Sequence, residues 1–412
     1  MRKIVQSGLA GLLATLLTTT AFAGDLIINY DDLGEKPKQA FEAAVEAFKK
    51  ANPDIKVTAN NTDREAHKTA IRNFLINDAP DITSWYPGNR MAPFVDAGLF
   101  EDISDLWASD PNLSKNFEAI KPTMTRDGKQ WGVPYTYYQW GIYYRSDIFK
   151  KLDIAEPKTW AELMAASKKL KDAGVTPFTI GTKFLWTAAG VFDYINLRTN
   201  GYEVHNDLTA GKIKYTDPRI RKTFENWKEL IDMGGFVSNH ATMSWQDAVA
   251  PFVKGDAAMY VMGNFSVPSY KEGGLTDDQI DYFQFPEITE GLPRAEEAPA
   301  DAFFIPKNAK NKEEAKKFLA FVASTDVQSK WNDTLQQLPP NSQATFNKDD
   351  KFLAKGFETV STASGLAQFY DRDAPAAMAK AGMEGFQKFM LDTSTLDEVL
   401  KRLDEVQLEV YK

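Results

Sequence analysis

Along this chain a short apolar strand pattern is followed, again and again, by an amphipathic helix pattern. Asp25 to Tyr30 (DLIINY) reads as a buried strand. The helix after it has Pro37 in its first turn, with Phe41, Ala44, Val45 and Phe48 on one face at i, i+3, i+4 and i+7 spacing. A second strand follows at Ile55 to Ala59. Thr62-Asp63-Arg64-Glu65 then has the form of a capping box, ahead of Ala70, Ile71, Phe74 and Leu75 on another apolar face. Pro80 to Thr83 reads as a third strand. Thr159-Trp160-Ala161-Glu162 repeats the capping box before Leu163, Ala166 and Leu170, with Gly174 as the stop, and Asn311 with Glu314 opens one more helix. Such alternation specifies an α/β fold with a mostly parallel sheet and helices on both faces. Sheets of that kind bind ligands outside the carboxyl ends of their strands.

The loops at those ends are therefore the places to search. They are Asp31-Asp32-Leu33-Gly34, then Asn60 to Arg64 with Asp63, then Ser84-Trp85-Tyr86-Pro87-Gly88-Asn89-Arg90. Each combines hydrogen-bonding groups with turn residues. Asp and Asn also cap helices and build turns without binding anything, so each loop alone has a structural reading. Three on one edge favour a functional one.

Arg2 and Lys3, an apolar run from about Ile4 to Leu17 and the small-residue exit Ala21-Phe22-Ala23 have the order of a secretory signal peptide over 1–23. The run is shorter than the ~20 residues needed to span a bilayer. With 412 residues the chain exceeds the roughly 250–300 at which a single core stops growing, so two lobes are expected. The absence of cysteine rules out disulfides, which large domains can do without, and suits a bacterial periplasm. It also removes the acceptor for an N-terminal lipid. A net charge of −9 argues against nucleic acid as a partner.

Catalytic signatures are lacking. His67, His205 and His240 are far apart in sequence, without metal-ligand spacing, and no nucleophile elbow or phosphate loop is present. Acidic pairs such as Asp31/Asp32 or Asp371/Asp373 leave a glycosidase open, since its two acids need not be neighbours in sequence. No metal or cofactor is expected.

Several stretches together resemble one family. They are AFKKANPDIKV (Ala47 to Val57), DAPDITSWYPGNRMAPFVDAGLFEDISDLW (Asp78 to Trp107), VPYTYYQWGIYYRSDIFKKLDI (from Val133), PKTWAELMAASKKLKDAGVTPF (from Pro157), FVKGDAAMYVMGNFSVPSY (from Phe252), FFIPKNAKNKEEAKKFLAFVAS (from Phe303) and QFYDRDAPAAMAKAGMEGFQKFM (from Gln368). In this order they resemble the extracellular solute-binding proteins of carbohydrate ABC transporters, the group that looks like maltose-binding protein.

The resemblance implies a two-lobe periplasmic binding protein fold with multiple interlobe crossovers and a ligand cleft between the lobes. It places the first crossing near Tyr135 to Tyr138, the second near Pro299 to Asp301 and the third near Leu338 to Gln343. The lobes are then 24–136 plus 301–340, and 137–300 plus 341–412. It implies a monomer that captures a small carbohydrate and hands it to the transmembrane subunits of an ABC permease.

For the aromatic stretch VPYTYYQWGIYYRSD, Trp140, Tyr143 and Tyr144 are expected to continue into a strand of the second lobe, with Tyr137 and Tyr138 facing the cleft. Trp186, Trp245, Gly263, Asn264 and Phe265 match places where relatives present aromatic and polar groups, though many relatives have a Pro-Trp pair where this chain has Asn264-Phe265. An aromatic face suits the slightly positive C–H side of a sugar ring, and each ring has the alternative of serving the core. Asp301 lies at the second crossing. Asp371 and Arg372 match a cleft segment, where Arg372 either hydrogen-bonds sugar hydroxyls or pairs with Asp371 or Asp373. Arg64, Arg90 and Arg372 leave both a neutral and an anionic sugar open.

Overall fold

The computed structural model describes residues 24–32, 34–118 and 120–411, so the expected signal peptide lies outside the described residues. Two main sheets are present, each with its own hydrophobic core. In the first, the strands run in the order Val57–Asp63, Leu26–Asp32, Ile82–Trp85, Ala300–Phe304 and Gly132–Tyr137. In the second, the order is Ile280–Phe283, Trp140–Arg145, Ala257–Gly263 and Thr176–Phe178.

The expected parallel sheet holds for the first three strands in sequence. It fails in two places for one reason. Ala300–Phe304 is antiparallel to both its neighbours, and Trp140–Arg145 is antiparallel to both of its own. Each of these strands reaches its sheet directly from the other lobe. A strand joined to its neighbour through a helical crossover is held parallel, and a strand arriving from the other lobe is not. Only Thr176–Phe178 pairs in parallel in the second sheet.

The aromatic run around Tyr138 divides between the two cores. Tyr135 stacks on Phe303 of the first core with centroids 4.5 Å apart. Tyr143 and Tyr144 are buried in the second core, and the Tyr144 hydroxyl donates to Glu156 at 2.6 Å.

The four helices that local signals marked are all present among the described residues. Glu35–Ala51 buries Ala40, Phe41, Ala44, Val45 and Phe48. Thr159 accepts from the Glu162 amide while the Glu162 carboxylate receives the Thr159 amide, which completes the capping box. The first box is different: the helix is Arg64–Asn77, and Asp63 caps it by accepting from Glu65 and Ala66. Its inward face is Arg64, His67, Ile71 and Leu75, with Ala70 exposed. Rotation toward Arg64 and His67 follows from what they meet inside, since His67 Nε2 lies 3.0 Å from the Ser84 carbonyl and Arg64 has buried carboxylates. Asn311 precedes its helix but its side chain donates to Asp25 O and Asp81 instead of capping.

The helix Trp186–Asn200 is buried on nearly every side. Its polar members therefore need internal partners, and Arg198 finds one in Glu296 at 2.6 Å. Replacing Thr159 by Ala removes one half of a completed box and should cost about 0.5–2 kcal/mol of stability, typical of a lost N-cap, read from the urea midpoint of the variant against the parent.

Candidate functional site

Between the two sheets lies a cavity of about 360 Å³. Its first-lobe side is built from Asp63, Arg64, Glu65 and Lys68, at the start of the helix that follows the second strand. Its second-lobe side is aromatic: Tyr138, Trp140, Phe184, Trp186, Trp245, Phe265 and Phe369. Asp371 and Arg372 close one end, carried on the short helix Tyr370–Asp373.

The aromatic side is a set of edge-packed rings. Phe265 stands nearly perpendicular to Trp245 at 5.4 Å and to Tyr138 at 5.2 Å, and is edge-on to Trp140 at 5.9 Å. Gly263 permits this approach, because a Cβ there would come within 2.5 Å of the Phe265 ring and 3.0 Å of Trp140 Nε1. Trp186 is edge-on to Trp140 at 6.0 Å. It follows Leu185, whose φ of 69° lies in a region that ordinary side chains avoid. That turn sends Phe184 and Trp186 to the same wall.

Arg64, Arg372, Asp31, Asp301 and Asp371 are almost fully withdrawn from solvent. Arg64 Nε lies 2.6 Å from Asp31 and its Nη2 3.4 Å from Asp301. Arg372 Nη1 lies 3.3 Å from Asp301 on the other side, so Asp301 sits between two guanidinium groups. The Arg372 carbon is 4.3 Å from the centre of the Tyr86 ring and 5.6 Å from that of Tyr138, within cation–π range of both. Lys68 bridges to Asp371 at 3.4 Å and to Glu65 at 3.2 Å. Burial works against charge on Asp31, but Arg64, His67, the Ser84 hydroxyl and Lys68 together outweigh it and hold its carboxyl below the usual range. Burial likewise opposes the charge on Arg64, and Asp301 and Asp31 overcome it.

Three fully buried polar atoms of residues that line the cavity have no hydrogen-bond partner among the described residues: Tyr138 Oη, Trp140 Nε1 and Arg64 Nη1. Buried donors of this kind are costly unless something bonds them.

Of the residues singled out from sequence, Asp63, Arg64, Tyr138, Trp186, Trp245, Phe265, Asp371 and Arg372 meet at this cavity. Asp31 and Asp301 stand behind it as partners of the arginines. Arg372 pairs chiefly with Asp301; Asp371 is 3.9 Å away, and Asp373 bonds Asn89 and Thr209 instead.

Others are placed elsewhere. Trp85 is core: its indole donates to Arg90 O and its ring packs edge-on against Phe94, with the Arg90 guanidinium 5.7 Å over it, so Arg90 too is drawn away from the cavity. Tyr137 points to a second cavity of about 830 Å³ on the other side of the crossing, because successive residues of an extended chain face opposite ways. Asn264 is buried and ties the end of its strand to Gln336 O and Gln139 O. Gly88, with φ of 67°, lines a shallow side pocket. For Asp32 the backbone pairs with Asp63 and is all that is described.

Sequence reasoning passed over Lys68, Tyr86, Trp140, Phe184 and Phe369 as site residues. Tyr86 was within reach, being the neighbour of Trp85 on a chain whose side chains alternate. Asp193, His205 and Glu297 form a buried cluster with the residue types of a metal site, their donor atoms within 4.8 Å of one another. Asn196 Nδ2 donates to His205 Nδ1, however, and the Asn196 carbonyl is fixed by Thr223 and Asn200. That leaves the ring hydrogen on Nε2, facing the cluster, where a metal ligand needs a lone pair.

Comparison with known proteins fits this architecture. Residues 33–329 match the family of bacterial extracellular solute-binding proteins, and the chain belongs to that family. It is 27% identical to an uncharacterised ABC transporter extracellular-binding protein of Pyrococcus horikoshii over 377 residues, 90% of this chain and 83% of that one. A multiple sugar-binding protein of Streptococcus mutans is 24% identical, with 81% of each chain covered. Among solved structures, the bacterial solute receptor AcbH, described with an exclusive substrate preference for b-D-galactopyranose, superposes with a TM-score of 0.88 at 26% identity, covering 95% of this chain and all of that one.

Replacing Asp301 by Ala would leave two buried guanidinium groups short of a counter-charge. The expected loss is about 3–5 kcal/mol, the usual cost of removing one partner of a buried ion pair, seen as a lower urea midpoint in the ligand-free protein.

Proposed function

We propose that this chain is the periplasmic substrate-binding component of an ABC importer, and that its cavity takes a neutral carbohydrate. The observation that carries the reading is the pairing of an aromatic wall with unpartnered donors around one space. The rings of Phe265, Trp245 and Trp186 offer π faces to the apolar side of a sugar ring. Its hydroxyls would bond Tyr138 Oη, Trp140 Nε1 and Arg64 Nη1, which otherwise lack partners. The likeness to a receptor for a galactopyranose supports the same class of ligand.

A neutral ligand fits better than an anionic one because the cations are already matched. Arg64 faces Asp31 and Asp301, Arg372 faces Asp301, and Lys68 faces Glu65 and Asp371. A phosphate or sulfonate would have to displace these carboxylates.

The reading also includes what the lobes do. With 24–136 plus 301–340 as one lobe and 137–300 plus 341–412 as the other, the ligand would touch both and favour closure by its differential affinity for the closed state. Closure would present both lobes, correctly spaced, to a permease. Returning the ligand unchanged distinguishes this from a secreted glycosidase, against which the carboxylates on the cavity wall are already engaged: Asp371 and Glu65 are paired with Lys68, and Asp63 caps a helix.

Calorimetry against a panel of neutral sugars, sugar acids and sugar phosphates tests the reading. We expect a neutral sugar to bind with affinity nearly unchanged between low and high salt, whereas an anion meeting exposed charges would be screened over about 10 Å at 0.1 M. Phe265→Ala should cost that sugar about 0.5–1.5 kcal/mol beyond the lost contact area and leave the ligand-free melting temperature almost unmoved. A sugar phosphate that alone binds, with a steep salt dependence, would overturn the neutral assignment.

A further inference from the structure

The turn that carries Asp371 and Arg372 into the cavity is anchored from behind. The Tyr370 amide donates to Asp193 Oδ2 at 2.9 Å, deep inside the second lobe. Asp193 belongs to the buried helix Trp186–Asn200, and facing it is Glu297, on the short strand Glu296–Glu297 that leads into the second crossing. Both side chains are fully buried.

The two neighbouring glutamates contrast sharply. Glu296 points to one side of its strand and meets Arg198 and the Tyr194 hydroxyl. Glu297 points to the other side and finds no Lys or Arg within ion-pair distance among the described residues. Both of its oxygens, together with Asp193 Oδ1, lack any donor. Three buried carboxyl oxygens without a donor are too costly to leave so, and two carboxylates in contact cannot both be ionised. A proton held between Asp193 and Glu297 supplies the missing donor.

We propose that Asp193 and Glu297 share one proton, and that this protonated pair is the positioning element that seats the Tyr370–Asp373 turn, and with it Arg372, at the cavity. Every group around the pair bears on it. Asp371 and Asp373 from the turn disfavour a second negative charge, the Tyr370 amide and the Arg372 guanidinium favour it, and burial keeps Tyr215 and Tyr370 as neutral phenols. His205, from the adjacent helix, points Nε2 at Asp193 from 3.9 Å and is held neutral by burial, which lowers it to about 4. Burial is the chief cause that raises both carboxyls well above their ordinary range; Asp371 and Asp373 add to it at Asp193, and the charge of Asp193 adds to it at Glu297.

The sign follows. The unfolded chain gives up these protons in the ordinary carboxyl range, whereas the native pair keeps one at higher pH. The stability tied to this proton is complete below the ordinary range and is lost as pH rises through the raised one. One retained proton corresponds to an unfolding constant that grows by up to about tenfold per pH unit.

Glu297→Gln tests this without any sugar, so its outcome is independent of the carbohydrate reading. The amide is neutral at every pH and can donate to Asp193 as the shared proton does. In the full chain between pH 5 and 9 we expect the parent's urea midpoint to fall on the alkaline side and that of E297Q to fall markedly less. Hydrogen exchange in the segment 369–374, corrected for intrinsic rate, should accelerate at pH 9 in the parent and remain slow in E297Q. Identical pH profiles for the two proteins would overturn the proposal. So would a stoichiometric divalent metal in the purified parent, found by elemental mass spectrometry and lost in the variant. Should E297Q not fold, infrared spectroscopy of the parent decides: a protonated-carboxyl band at neutral pH supports the pair, and its absence refutes it.

Discussion

Asp301 lies buried between Arg64 and Arg372 at the point where the chain re-enters the first sheet. One arginine belongs to the helix after the second strand, the other to the turn that the second lobe offers to the cavity. A carboxylate in that position does more than neutralise two charges. It fixes both guanidinium planes, and through them the Tyr86 ring beneath Arg372 and the Tyr138 ring on its far side. Buried ion pairs contribute little net stability when traded for apolar packing, yet they are expensive to break singly. The arrangement therefore resists partial rearrangement, which is what a cavity of defined shape requires.

The charge network and the aromatic wall divide the recognition problem. Edge-packed rings line one side of the cavity, with Gly263 and the turned backbone at Leu185 providing the close approaches they need. The matched ion pairs supply fixed dipoles and donors without presenting net positive charge. Lys68 to Asp371 and Asn89 to Asp373 join the lobes at the same end, so that any hinge motion must move against these contacts.

Much of the architecture could be read from the sequence, because its causes are local. Apolar spacing and caps located four of the helices, Thr159 with Glu162 formed the capping box they spell, and the carboxyl-end rule pointed to the loops bearing Asp63 and Arg64. What escaped was set by distance along the chain. The pairs Arg64 with Asp301, Lys68 with Asp371 and Arg372 with Asp301 span 237, 303 and 71 residues, and no local pattern encodes them. For the same reason the inward face of the helix Arg64–Asn77, read from Ala70, Ile71, Phe74 and Leu75, holds for Ile71 and Leu75 but turns further round to Arg64 and His67, where buried carboxylates draw Arg64 inward. Two further misreadings arose from alternation: Trp85 was taken for the cavity when its neighbour Tyr86 faces the Arg372 guanidinium, and Tyr137 was taken together with Tyr138 when Tyr138 alone of the two lines it. The strands Trp140–Arg145 and Ala300–Phe304 run against their neighbours because they arrive from another lobe, a fact of topology that no strand's own sequence carries.

A sugar held by the aromatic wall and Arg372 on one lobe and by the Arg64 and Lys68 side on the other would draw the two together. Small-angle X-ray scattering of the mature chain, alone and saturated with a neutral sugar shown by calorimetry to bind, measures this directly. The account predicts a smaller radius of gyration in the complex. An unchanged radius with the site demonstrably filled would contradict it.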